Sequence, residues 1–83
     1  MIVRVRLFAA IREALGRETI DITLPEGATP EDAWGALLRL DEQGTLKARR
    51  VNLAAAVNRQ YTKFEAPLKD GDEVVFIPPV SGG

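Results

Sequence analysis

The sequence predicts an α+β domain in which one main helix packs across a mixed β-sheet. Segments with apolar residues at every second position lie near both ends of the chain, as in half-buried strands. A segment with helical spacing and a clear N-terminal cap lies between them. The 83 residues suffice for one domain, and 46% of them are hydrophobic, a normal share for a fold that depends on its apolar core.

The N-terminal part of the chain predicts two strands separated by a short helix. Residues 2–8 alternate in the manner of a strand. The face expected in the core carries Val3, Val5 and Leu7. Phe8 has the opposite parity and falls on the polar face, an unusual place for a large aromatic side chain. Residues 9–15 form a short helical stretch that ends at Gly16, and residues 18–24 alternate again.

The central segment predicts the main helix. Residues 25–27 read Pro-Glu-Gly, a turn signal, and Thr29 follows as a candidate N-cap. Pro30 then occupies the first helical position, where its missing N–H is not needed, and acidic residues fill the first turn. The helix is predicted to run to about Asp41 or the residue after it. Trp34, the only tryptophan, is predicted to anchor the core.

The C-terminal part predicts two or three further strands. Residues 45–52 are expected to form a connection, and no regular structure is assigned to them. Residues 53–57 predict a strand of small side chains, followed by a turn at 58–60 that leads into Tyr61 and Thr62. Lys69 to Asp72 is a strong turn signal, and residues 73–77 predict the last strand.

This order of elements predicts how the sheet is arranged. One helix packed on one face of a mixed sheet satisfies it. The first and last strands would then lie side by side in the middle, which is the β-grasp, or ubiquitin-like, arrangement. The predicted domain spans residues 1–77, and residues 78–83 form an extended, flexible C-terminal tail.

Composition excludes several classes of function. The chain has no cysteine and no histidine, so thiol nucleophiles and thiolate metal sites are excluded, the usual general base is missing, and no metal site is expected. Its 11 basic and 12 acidic residues give no electrostatic case for binding nucleic acid. No apolar stretch approaches the length of a membrane span, and no signal peptide is evident. The expected location is the cytoplasm.

The tail is the chemical feature of the sequence. It reads Pro78-Pro79-Val80-Ser81-Gly82-Gly83. The prolines end the strand because neither has a backbone N–H for the sheet, and the glycines can enter a channel too narrow for other residues. The carboxylate of Gly83 is a poor electrophile until a partner adenylates it with ATP. A sulfur donor can then displace AMP and leave a thiocarboxylate, which requires no cysteine in the carrier.

A terminal Gly-Gly taken alone is a weak signal, because a frayed end or a cloning remnant would look the same. The proline pair directly after a strand and the β-grasp order of elements favour the functional interpretation. Ser81 has no base beside it in the sequence, and no catalytic role is assigned to it.

The residues also resemble a known family. Residues 70–83, DGDEVVFIPPVSGG, resemble the C-terminal signature of the MoaD/ThiS sulfur carriers, and in particular the MoaD branch, the small subunits of molybdopterin synthase. Residues 7–16 resemble the N-terminal segment of that branch, and residues 55–58 resemble its middle strand and turn. The resemblance covers nearly the whole chain, and its C-terminal part is the most specific.

The resemblance implies a β-grasp fold and a cycle that other proteins catalyse. A ubiquitin-activating-enzyme-like adenylyltransferase would activate Gly83 with MgATP, and a donor such as a cysteine desulfurase or a rhodanese would supply sulfur. The tail, with Gly82 and Gly83 at its end, would then insert into the large subunit of a heterotetrameric synthase. There it would deliver sulfur to cyclic pyranopterin monophosphate, two carriers serving each molybdopterin. No bound cofactor is expected, only the glycyl adenylate and thiocarboxylate forms, and the chain is not expected to be catalytic alone.

The resemblance also implies a docking surface. Phe8, Arg12, Tyr61 and Ile77 match the positions of that surface in the family, and residues 78–81 would contact the partner as the tail inserts. Phe8 and Ile77 have the wrong parity for the core, so both are predicted to lie on one outer sheet face near the root of the tail.

Three other functions stay open at this point. A carrier for thiamine or tRNA thiolation would use the same chemistry at Gly83. A ubiquitin-like protein modifier would transfer the adenylated glycine to a lysine instead. A plain β-grasp interaction module would have an inert tail, and the loss of Gly83 would leave its activity unchanged.

Overall fold

Two α-helices, one 3-10 helix and five strands make up residues 1–79, the part of the chain that this computed structural model describes. In chain order they are β1 (Ile2–Arg6), α1 (Ala9–Leu15), β2 (Thr19–Thr23), α2 (Pro30–Leu40), the 3-10 helix (Lys47–Arg50), β3 (Ala54–Val57), β4 (Gln60–Thr62) and β5 (Glu73–Ile77). The predicted α+β class is therefore confirmed. The predictions made for Val80, Ser81, Gly82 and Gly83 lie outside the described residues.

The five strands form one mixed sheet in the order β2-β1-β5-β3-β4. β1 and β5 pair in parallel at its centre, with Val5 opposite Val74, and the other neighbouring strands are antiparallel. The first and last strands thus lie side by side, as the element order predicts. None of the helices within residues 1–79 is long and apolar enough to cross a membrane.

The main helix α2 begins where the sequence predicts, and its cap explains why. The hydroxyl of Thr29 accepts the N–H of Asp32 at 3.3 Å, while Oδ2 of Asp32 accepts the N–H of Thr29 at 2.9 Å. This reciprocal capping box satisfies two backbone donors that a helix start otherwise leaves free. The helix ends at Leu40, slightly earlier than predicted, because Asp41 turns to an extended conformation and its Oδ2 accepts the N–H of Leu46 at 2.8 Å.

The core lies between α2 and one face of the sheet. Trp34 is 1% exposed, and its ring meets Phe76 edge to face at 5.2 Å between centroids. Phe64 also stacks on Phe76, with 6.0 Å between the ring centroids. The predicted core positions Val3, Val5 and Leu7 are all buried. Trp34 is therefore the core anchor that the sequence indicates.

Residues 45–52, to which no structure was assigned, are held in place by one buried side chain and one arginine. Leu46 is fully buried, and the 3-10 helix follows it. The guanidinium of Arg50 lies 3.6 Å from the centroid of the Phe64 ring and donates to Glu31 at 2.7 Å. This hydrogen bond is the main reason that the pKa of Glu31 lies below its ordinary value. The segment is thus fastened to the N-terminal end of α2.

Candidate docking face and tail root

The sheet face opposite α2 carries a shallow depression of about 420 Å³ at the end of β5. Its lining residues are Arg6, Phe8, Ala56, Arg59, Tyr61, Glu73, Val75 and Ile77. Strand register explains the grouping: Val75 lies opposite both Arg6 and Ala56, and Ala56 in turn lies opposite Tyr61. Since side chains alternate between the two faces of a strand, burial of Val74 and Phe76 against α2 turns their neighbours outward to this surface.

Two large aromatic side chains are exposed on this surface. Phe8 is 48% exposed and Tyr61 is 76% exposed. Phe8 has the same strand parity as Arg6, and its backbone is extended (φ −128°, ψ 155°), so its ring continues the outer face beyond the end of β1. Contiguous exposed apolar side chains with a polar border are typical of protein interaction sites. We therefore refer to the eight lining residues as the docking face.

The charges of the docking face are not balanced. Nε of Arg6 donates to Oε2 of Glu73 at 2.9 Å, so this cation and this carboxylate neutralise each other. Arg59 forms no ion pair within residues 1–79 and is exposed. The docking face therefore presents apolar side chains together with one surplus positive charge.

The tail begins at the central strand of the sheet. β5 is paired on both sides, and its last residue, Ile77, lies opposite Ala54 of β3. Pro78 has no N–H to continue the pairing, so the ladder ends there. Pro78 is half-buried and Pro79 is exposed. Because Ile77 also lines the depression, the root of the tail and the docking face are one continuous surface.

The structure brings together three of the predicted contact residues and separates a fourth. Phe8, Tyr61 and Ile77 all line the docking face. Arg12 does not: it lies one turn along α1, where its N–H donates to the carbonyl of Phe8 at 3.3 Å and its guanidinium is 3.8 Å from Glu18. It is near the docking face without lining it.

Sequence reasoning missed five lining residues, namely Arg6, Ala56, Arg59, Glu73 and Val75. Strand parity was a sufficient signal for Glu73 and Val75, because both alternate with the buried positions of β5. Arg59 carried no such signal, since it lies in a turn whose shape depends on how β3 and β4 pair.

The described residues form an exposed, partly apolar surface beside the end of β5. The sequence contains no histidine or cysteine, and within residues 1–79 no three acidic side chains are grouped to hold a metal ion. What the arrangement provides is a rigid strand end beside an apolar face, which is suited to present a tail to another protein.

Known proteins are similar to this chain over nearly its full length. Residues 5–83 match the ThiS family. A molybdopterin synthase sulfur carrier subunit from Escherichia coli is 35% identical over 81 residues, which cover 98% of this chain and 99% of that protein.

Two solved structures extend the comparison. The complex of subunits 1 and 2 of molybdopterin-converting factor from Helicobacter pylori contains a chain that is 32% identical to this one, with a TM-score of 0.64 and full coverage of both chains. The small archaeal modifier protein 1 from Methanosarcina acetivorans is 26% identical with a TM-score of 0.78, covering 99% of this chain and 96% of that one.

Proposed function

Because this chain belongs to the ThiS family, we propose that it is the sulfur-carrying subunit of a molybdopterin synthase and that Gly83 bears the sulfur. The observation that carries the proposal is the continuity between the end of β5 and the exposed docking face. A partner that covers Phe8 and Tyr61 would also lie beside Ile77, at the root of the tail. Docking then aims the last residues of the chain at the partner's active site.

The chemistry takes place on the C-terminal carboxylate. A carboxylate oxygen of Gly83 attacks the α-phosphorus of ATP, pyrophosphate leaves, and an acyl adenylate forms. The persulfide sulfur of the donor attacks the glycyl carbonyl carbon and AMP leaves, which gives an acyl disulfide. A thiol then attacks the donor's cysteine sulfur, the donor leaves as a disulfide with that thiol, and the terminus is released as a thiocarboxylate. The thiocarboxylate sulfur in turn attacks an electrophilic carbon of the pterin precursor, cyclic pyranopterin monophosphate, and an oxygen substituent leaves that carbon, which gives a thioester between Gly83 and the pterin. Water then cleaves the acyl–sulfur bond, so the sulfur stays on the pterin and the carboxylate of Gly83 returns. Two charged carriers supply the two sulfurs of each dithiolene.

Within this scheme, the fold holds and orients the tail. β5 is anchored on both sides in the centre of the sheet, so the tail starts from a fixed position. Pro78 and Pro79 restrict the backbone directly after it, which lowers the entropy that the tail loses on entering a narrow channel. Gly82 and Gly83 present no side chain to the walls of such a channel.

The proposed partners act in sequence on the same tail. The large synthase subunit is the partner that receives the charged tail. The complex of subunits 1 and 2 of molybdopterin-converting factor from Helicobacter pylori, which contains a chain similar to this one, supports such a pairing. A ubiquitin-activating-enzyme-like adenylyltransferase performs the activation, and a cysteine desulfurase or a rhodanese supplies the sulfur. Since both the activating enzyme and the synthase need the root of the tail, they should compete for the docking face.

Protein modification is a second candidate function, and the likeness to the small archaeal modifier protein favours it. A modifier uses the same glycyl adenylate but transfers the glycine to a lysine amine. Covalent ladders that react with an antibody to this chain in a lysate would support modification, whereas a purely sulfur-transferring carrier gives none.

Reconstituted sulfur transfer tests the proposal. Charged carrier, large subunit and cyclic pyranopterin monophosphate are combined, and molybdopterin is measured for the natural chain, for a chain without Gly83 and for a chain with one added glycine. We expect product only with the natural terminus and unchanged unfolding temperatures for all three. Thr45→Ala, an exposed loop substitution outside the docking face, is the control and should stay active. Product formation without Gly83 would refute the proposal.

A further inference from the structure

The hairpin between β3 and β4 contains a residue that is poorly suited to its backbone conformation. Its two-residue connection, Asn58 and Arg59, has positive φ at both positions (52° and 71°), as in a type I′ turn. Asparagine tolerates this left-handed region, and glycine is the preferred second residue. An arginine there carries a steric cost that glycine does not have.

The described fold gives no internal reason for that arginine. The side chain of Asn58 is well used: its Nδ2 donates to Asp72 at 2.9 Å and its Oδ1 accepts the N–H of Glu73 at 2.9 Å. The guanidinium of Arg59, in contrast, makes no hydrogen bond or ion pair within residues 1–79. Backbone strain that no local contact offsets is characteristic of functional positions.

The position of Arg59 suggests what the strain achieves. Arg59 lines the docking face together with Phe8 and Tyr61. The only other charged residues of that face, Arg6 and Glu73, are paired with each other. The strained turn therefore places one unpaired guanidinium at the border of the apolar part of the docking face. A guanidinium in that position is suited to form two parallel hydrogen bonds to a carboxylate, a bidentate pair.

We propose that Arg59 is a specificity residue that pairs with a carboxylate of the docking partner, beside the apolar contact at Phe8 and Tyr61. The inference rests on the proposed function and takes the large synthase subunit as the occupant, because the face is continuous with the tail that this subunit receives. Charge complementarity to the surplus cation requires an acidic side chain on that subunit. The strained turn at Arg59 thus lowers the stability of the unbound protein, while the guanidinium of Arg59 selects the partner.

The test uses the full-length chain and its purified large subunit, with the dissociation constant and the unfolding temperature measured for each variant. Arg59→Gly and Arg59→Asn relieve the backbone strain and remove the charge, so the unfolding temperature should rise by about 2–6 °C. The same variants should bind about 5–30-fold more weakly at low salt. Arg59→Lys keeps the charge and should bind at an intermediate level.

The salt dependence of binding and a matched control variant distinguish a specific ion pair of Arg59 from a general effect of net charge. The loss for Arg59→Asn should shrink as NaCl rises from about 0.05 M to about 0.5 M, because a border ion pair is screened. Arg49→Gln removes the same charge in the 3-10 helix and should alter binding by less than about twofold. Arg59 variants that bind like the natural chain, or that unfold at lower temperature, would overturn the inference. Failure of the natural chain to bind would overturn the proposed docking as well.

Discussion

Replacing Phe8 by alanine should weaken docking while costing the fold less than the truncation of a buried core residue, because about half of the Phe8 surface is exposed. An aromatic side chain offers roughly 200 Å² of surface. Because Phe8 is 48% exposed, about 100 Å² of it remains for a partner to cover. At about 25 cal/mol per Å², this burial is worth about 2.5 kcal/mol, and ordering of the side chain removes about 0.5–1 kcal/mol of that gain. We expect a net loss of about 1.5–2 kcal/mol in binding, or roughly 10–30-fold in the dissociation constant.

Titration calorimetry with the large subunit measures this loss, and thermal unfolding measures the cost to the fold. Leu40→Ala is the matched control, because Leu40 is 49% exposed but lies at the end of α2, across the sheet from the docking face. It should leave binding unchanged. Equal loss of affinity for both variants, or an unfolding temperature for Phe8→Ala that drops as far as for a buried core truncation, would refute the reasoning.

Two further predictions concern the fold. Thr29→Ala removes the capping box of α2 and should lower the free energy of unfolding by about 1 kcal/mol in denaturant titration, while Thr45→Ala, an exposed loop control, should change it little. The pKa of Glu31 is lowered by its hydrogen bond from Arg50, so the stability it contributes is present above its ordinary pKa of 4.5 and is lost as pH falls through the lower folded value. Glu31→Gln should therefore destabilise by about 0.5 kcal/mol or less at pH 7, and the difference should shrink as the pH falls below 4.5. A difference in thermal unfolding that stays constant as the pH is lowered would contradict this account.

Most of the fold could be predicted because its signals are local. The alternation of apolar and polar residues predicted β1, β2 and β5, and the cap at Thr29 followed by Pro30 predicted the start of α2. Both signals depend only on residues that are close together in the sequence. The 3-10 helix was missed because its stability comes from burial of Leu46 and from the contact of Arg50 with Phe64, which no nearby pattern reports.

The candidate site was predicted only where its residues carry a local signal in the sequence. Phe8 and Ile77 were found because their parity is wrong for the core, and the structure places both on the docking face. Arg12 was expected by resemblance to border that surface. The structure places it in α1, near the docking face, and its contact with a partner stays a prediction. Arg59 could not be found, because its role depends on a hairpin turn and on which charges the sheet register has already paired.

Intact mass spectrometry of the carrier tests the central claim most directly. The chain is incubated with MgATP, the adenylyltransferase and a sulfur donor, and the product is fragmented to locate the change. We expect a gain of ~16 Da, one oxygen replaced by sulfur, confined to Gly83 and absent when ATP is omitted. An unchanged mass under conditions in which the activating enzyme is active, or a modification at any other residue, would contradict the account.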